Sequence, residues 1–281
     1  MCMKILSPAK INLFLQITGK RQNGYHDLFT LMCRISLYDT VSLSFGTKYT
    51  TVSCNNPEVP EDENNLAVRA ANLFFKTIRK NEGVKIGLEK QIPVAAGLGG
   101  GSSNAASVLL GLNRYYGQPL TQNKLMSIGL SIGADIPFFI FRKPATASGI
   151  GEKLEAYEGL KPFQILLVCP KLAVSTKEIY KNLSLELTKC KKKLENMVFK
   201  KKIFDIKKHL CNDLEEITAS ICPDVNKAKE ALLSNGAIGA LMSGSCPAVF
   251  GIFPDFDKAQ IAYNALLNKH NWRLFQAELL V

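Results

Sequence analysis

Apolar residues recur at every second position near the start of the chain (Ile11, Leu13, Leu15 and Ile17), the pattern of a half-buried strand, and glycines between 19 and 24 mark a turn after it. Residues 41–45 and 84–88 alternate in the same way, whereas Leu66, Ala70, Phe74 and Ile78 fall at helical spacing across 65–78. The first half therefore mixes strands with crossing helices. In the second half the continuous apolar run at 163–169 predicts a buried strand. Helices follow near 176–183 and 224–234, then strands at 237–242 and 248–253, a helix over 256–268 and a closing strand. The apolar run 136–140 also reads as a strand, with Asp135 just before it.

At 281 residues the chain exceeds one typical domain of about 100 to 200 residues, so two lobes sharing a cleft are expected. The Gly- and Pro-containing segment 149–162 is the best boundary, dividing the chain into 1–155 and 156–281. It is too short for a flexible linker, and no internal repeat is present.

Hydrophobic residues make up 47% and charged residues 21%, a folded rather than disordered profile. No apolar run approaches the roughly 18 to 20 residues that span a bilayer, and the first residues lack the apolar stretch of a secretion signal, so a cytoplasmic protein without membrane contact is expected. The eight cysteines are scattered, with no close pair of the metal-ligand or redox type, and read as reduced, mostly buried thiols. A net charge of +11 raises the question of a nucleic-acid partner. Ten lysines between 181 and 208, against three acidic residues, carry most of it, which fits a local solvated face better than a nucleic-acid surface.

Chemistry concentrates in a few segments. Pro93-Val94-Ala95-Ala96-Gly97-Leu98-Gly99-Gly100-Gly101-Ser102-Ser103-Asn104 places four glycines and two serines before a predicted helix start. Glycines let backbone N–H groups close on an anion, and the positive end of the helix dipole favours phosphate. The run is neither a P-loop nor a dinucleotide fingerprint, since no Gly-Lys-Ser/Thr follows and the glycine spacing is wrong. An ordinary glycine-rich turn is the plain alternative.

In Ser7-Pro8-Ala9-Lys10-Ile11-Asn12-Leu13, Lys10 and Asn12 fall on one side of a strand, where they either bind a substrate oxygen or face solvent. Asp135 is either a cap or a general base; phosphoryl transfer to an alcohol gains from a carboxylate that takes the hydroxyl proton and a cation that steadies negative charge, functions Asp135 and Lys10 could supply. The small-residue turn Ser243-Gly244-Ser245-Cys246 is by itself a hairpin turn. Tyr25 and His26 could wall a base or sugar.

Taken together and in this order, these segments resemble the GHMP kinase superfamily, and SPAKINLFLQITGKRQNGYHDL, GLGGGSSNAA and GADIPFF match its cytidine-carrying branch in non-mevalonate isoprenoid synthesis. The resemblance covers essentially the whole chain. It implies an α+β fold with an N-terminal nucleotide lobe like a ribosomal-protein domain and a C-terminal ferredoxin-like lobe. It further implies transfer of phosphate from ATP, with magnesium, to the 2-hydroxyl of cytidine-diphosphate methylerythritol. By motif position Asp135 matches the base and Lys10 the cation beside it; Asn12 positions the substrate, Tyr25 and His26 surround the cytosine, and Tyr180 is a candidate for stacking on it. For ATP the resemblance implies the run 93–104, with Asn65 and Lys90 as nearby contacts.

Where the third motif of the family has its second glycine this chain has Cys246, which would strain the turn if that position has φ > 0. If Cys246 faces the nucleotide it is also a reactive-thiol candidate. A related kinase acting on homoserine, mevalonate or a sugar, and a non-catalytic nucleotide- or RNA-binding protein, are the rival readings. The metal ligands, the oligomeric state and the role of 189–202 are not legible.

Overall fold

The structure, a computed structural model, describes residues 2–22, 24–172, 176–183, 204–267, 269 and 271–281. Residues 189–202, which hold most of the lysine cluster, lie outside these. The described chain forms two compact units, one made of residues up to Ala9, Tyr38–Val94 and Gly99–Arg142, the other of Lys10–Leu37, Ala95–Leu98 and the chain from Lys143 on. Strands β1 (Cys2–Lys20) and β2 (His26–Thr47) contribute residues to both.

In the first unit β4 (Gly83–Glu89) pairs antiparallel with Thr40–Thr47 of β2 and parallel with β3 (Thr51–Cys54). Helix α1 (Leu66–Thr77) buries Ala67, Val68, Ala70, Ala71, Phe74 and Phe75, the stripe expected from its spacing. Helix α2 (Gly100–Tyr115) comes so close to the strands at Gly111 that a methyl there would lie 2.6 Å from Ile5 Cδ1 and Leu43 Cδ1. Helices α3 (Gln122–Leu130) and α4 (Ile136–Phe141) complete this unit.

The α4 segment corrects the strand expected over 136–140. A short all-apolar run cannot be told from a buried strand by periodicity. Pro137 settles it as a helix start, because its fixed φ suits the first turn and its missing N–H has no intrahelical partner there anyway.

In the second unit the antiparallel order is β2, β11 (Trp272–Leu280), β7 (Gln164–Pro170), β10 (Val249–Phe253) and β9 (Gly239–Met242). Residues 28–32 of β2 also pair with β5 (Ala145–Gly149), which pairs with β6 (Lys153–Ala156), while Phe14 and Leu15 pair with the two-residue β8 (Cys211–Asn212). Helices α5 (Thr176–Lys181), α6 (Ile206–His209), α7 (Glu215–Ile221), α8 (Asp224–Ser234) and α9 (Phe256–Leu266) complete it. A core of Leu166, Val168, Val225, Leu232, Val249 and Phe253 with their neighbours lies between the helices and the sheet.

Cys33, Cys169, Cys222 and Cys246 are buried thiols outside any disulfide, and Cys2 and Cys54 are less buried ones. Burial pushes the Cys169 thiol up to about 12, as expected of an inert core thiol. Cys211 departs from the expectation of reduced thiols: it is disulfide-bonded. Among the described residues no helix is long and apolar enough to cross a membrane.

Candidate active site

The glycine-rich run takes a backbone that the sequence only hinted at. Ala95 (φ 54°), Gly97 (φ 79°) and Gly99 (φ 71°) all have left-handed φ and alternate with Ala96 and Leu98, which do not. Successive backbone N–H groups in turn conformations can make an anion-binding concavity. Gly99 is also the N-cap of α2 and no side chain caps that helix, leaving its first N–H groups without a side-chain acceptor. The first turn of α2 lies near the turn that holds Asp135: a methyl on Gly133 would be 3.9 Å from Ser102 Oγ.

Asp135 occupies the N-cap position of α4 and makes no side-chain capping bond to that helix. The same unit holds a buried polar cluster. Asp39, fully buried, accepts backbone N–H groups of Gln91 (2.8 Å) and Ile92 (2.9 Å), Asn104 Nδ2 (3.0 Å) and the Lys90 ammonium. Lys90 and Asn104 are thus both engaged with protein, as is Asn65, whose amide caps α1 through Ala67 N (2.9 Å) and donates to Pro60 O (2.7 Å).

In the second unit three motifs come together. Lys10, 5% exposed, donates from Nζ to Asn12 Oδ1 at 2.7 Å, and Asn12 Nδ2 donates to Thr30 Oγ1 at 2.8 Å. The Lys10 backbone N–H donates to Leu98 O at 2.9 Å. A methyl on Gly97 would collide with the Ser243 carbonyl oxygen, and one on Gly244 would lie 3.6 Å from both Lys10 Nζ and Asn12 Oδ1. The Lys10 face of β1, the middle of the glycine run and the 243–247 turn are therefore neighbours.

The departure at Cys246 carries no backbone strain. Among the described residues the non-glycine residues with positive φ are Arg79, Ala95, Gln118 and Arg142, and in the 243–247 turn the left-handed position is Gly244 (φ 66°). Cys246 is buried, with Sγ 3.8 Å from Ser245 Oγ.

His26 is 6% exposed, yet neither ring nitrogen has a hydrogen-bond partner, and its ring lies 5.4 Å from that of Tyr180. Burial lowers its pKa, and the charge of Lys20 acts in the same direction, so the neutral imidazole is favoured. Buried polar atoms are almost always paired, and the His26 ring nitrogens are among the few described that are not. His26 and Thr30 lie four residues apart and face one side of β2, about 13 Å along the strand. Tyr25, at the turn before β2, is 60% exposed.

Residues that sequence reasoning missed support these groups. Thr30 anchors Asn12, and Asn212 Nδ2 holds the 243–247 turn through Met242 O (2.9 Å) and Gly244 O (2.8 Å). Their signal was a polar side chain within an apolar strand, and an Asn-Asp pair ahead of α7. Among the described residues no group of three His, Cys, Asp or Glu side chains is arranged to hold a metal.

A glycine turn with a strand lysine and a second small-residue turn beside it is an arrangement suited to holding phosphate. The family models agree: GHMP kinases N terminal domain matches 65–143 and GHMP kinases C terminal matches 199–271. The chain is 46% identical to the 4-diphosphocytidyl-2-C-methyl-D-erythritol kinase of Syntrophotalea carbinolica over 97% of each chain, and 43% identical to that of Syntrophus aciditrophicus over 97% of this chain and 98% of the relative. A crystal structure of 4-(cytidine 5'-diphospho)-2C-methyl-D-erythritol kinase superposes with a TM-score of 0.82 at 33% identity over 99% of each chain. The Methanococcus jannaschii mevalonate kinase, at 17% identity and a TM-score of 0.71, shares the fold. The chain belongs to the GHMP kinases and, within them, to the 4-diphosphocytidyl-2-C-methyl-D-erythritol kinase family.

Proposed function

We propose that the chain transfers the terminal phosphate of ATP to the 2-hydroxyl of 4-diphosphocytidyl-2-C-methyl-D-erythritol, a step of non-mevalonate isoprenoid synthesis. The observation that carries this reading is the meeting of Lys10 and Asn12 with the Gly97 and Gly244 turns, in a chain 46% identical to a curated kinase of that name.

In this reading the backbone amides from 95 to 102 hold the phosphates, and the end of α2 favours their charge. Asp135 accepts the hydroxyl proton, and Lys10, kept extended by Asn12, steadies negative charge on the transferring group. Asn65, Lys90 and Asn104 serve the nucleotide by shaping its surroundings, since their polar atoms are already engaged with protein. His26 reads the cytosine edge with its two unpartnered nitrogens, Tyr180 and Tyr25 flank the ring, and Asn12 orients the sugar-alcohol end.

Magnesium enters as the ATP complex, neutralising phosphate charge. No cage of protein carboxylates for it exists among the described residues. Both substrates are highly charged small molecules, which supports work in the cytoplasm, where ATP is made available.

A substrate panel tests the assignment. With ADP release as the readout, the cytidylated methylerythritol should be turned over at least a hundredfold more efficiently than mevalonate, homoserine or a free sugar. Equal or better turnover of any of those three would overturn it.

A further inference from the structure

We propose that Asp39 is a positioning residue for the nucleotide end of the reaction, clamping the two flanks of the glycine-rich run; this deepens the nucleotide role proposed above and rests on it. Asp39 lies on β2 and is 0% exposed. An ionised carboxylate at such depth persists only when surrounded by donors. Its donors come from two places in the sequence. Oδ1 accepts the N–H groups of Gln91 and Ile92, immediately before Pro93, while Oδ2 accepts Nδ2 of Asn104, the fifth residue of α2, together with the Lys90 ammonium. The run 93–103 thus leaves Asp39 at one end and returns to it at the other.

The cluster continues toward the phosphate-binding N–H groups. Lys90 Nζ also donates to Asn104 Oδ1 at 3.0 Å, and it lies 3.0 Å from where a methyl on Gly100 would be. An ammonium at the positive end of a helix is unfavourable unless an anion holds it, and Asp39 is that anion in the protein alone. On the other side Asn104 Nδ2 donates to Ser7 Oγ at 3.1 Å, and Ser7 Oγ donates to Ser103 Oγ at 2.8 Å. One carboxylate therefore fixes a lysine against Gly100 and, through Asn104 and Ser7, the hydroxyl of Ser103.

Packing alone does not require such a cluster, because apolar groups of equal volume often stabilise a core as well as a buried ionic network does. What it supplies is a fixed span between the two flanks of the run, part of the preorganisation that a phosphate-binding turn needs.

Asp39→Asn preserves shape and the acceptor for Gln91 and Ile92, but turns an NH2 group toward two donors. Folding is checked by circular dichroism, nucleotide binding by titration with a non-hydrolysable ATP analogue, and turnover by KM for each substrate. The expected result is a folded variant with analogue affinity and ATP KM at least tenfold weaker, while the KM for the alcohol acceptor stays within twofold, a split that general destabilisation does not produce. Wild-type nucleotide affinity in Asp39→Asn would overturn the inference while leaving the kinase reading intact. Equal weakening toward both substrates would overturn it too. If the wild type itself binds no nucleotide, the underlying reading falls and this inference with it. Should Asp39→Asn fail to fold, Ser7→Ala carries the test: about threefold weaker analogue binding is expected, and unchanged binding contradicts the clamp.

Discussion

Lys10 and Asn12 stand two residues apart on β1, and the ammonium of the first donates to the amide oxygen of the second at 2.7 Å in a nearly buried setting. The contact follows from the two-residue period of a strand, which puts both side chains on one face. It fixes the direction of a long, flexible side chain before any substrate arrives. Lys10→Met fills the same space without the charge. Its kcat should fall roughly a hundredfold or more, the scale of losing one preorganised charge-stabilising group, with KM for ATP changed far less. Steady-state kinetics in both substrates check this split.

Asp135→Asn should fold with wild-type secondary structure and lose roughly 100- to 10,000-fold in kcat, the usual share of general-base catalysis. Pro137 and the apolar residues of α4 define that helix, and the Asp135 side chain makes no capping bond to it. Circular dichroism together with turnover checks both halves. A loss of fold would make the aspartate structural.

Gly97→Ala should be damaging for two separate reasons. The left-handed φ of 79° disfavours any side chain, and the added methyl would run into the Ser243 carbonyl oxygen. Together these should cost about 2 to 4 kcal/mol, seen as a lowered Tm, and activity should fall with it. Gly117→Ala has a similar φ of 77° but open space around it, so it separates conformational strain from collision.

His26 gives a pH signature. Its pKa in the folded chain lies below its ordinary value because burial and Lys20 disfavour the charge. As pH falls through the ordinary value of about 6.5, the unfolded chain takes up a proton that the folded chain refuses, so stability declines between that value and the depressed one. His26→Gln should remove this part of the decline. Comparing Tm at pH 7.5 and 5.5 for both proteins checks it; identical pH dependence would contradict the assignment.

Much of the fold was legible because its elements are amphipathic or uniformly apolar in the expected way: α1 by its helical stripe, β4 by alternation, β7 by its continuous run. The segment 136–141 was misread because a buried six-residue helix leaves no polar face to set a period, and the deciding mark was Pro137. The site motifs were legible as local patterns of lysine, glycine and aspartate. Their supports were not. Thr30, Asp39 and Asn212 each act through partners distant in sequence, such as Asp39 on Gln91, Ile92 and Asn104, and no local period records such pairings. The left-handed Ala95 was also hidden, since alanine gives no sign of φ > 0.

The central claim is tested most directly by phosphorus NMR of the purified protein incubated with magnesium, ATP and 4-diphosphocytidyl-2-C-methyl-D-erythritol. ADP and one new phosphomonoester resonance should grow together in equal amounts, and only when both substrates are present. ATP left intact, or ADP formed with inorganic phosphate and no new ester, would contradict the account.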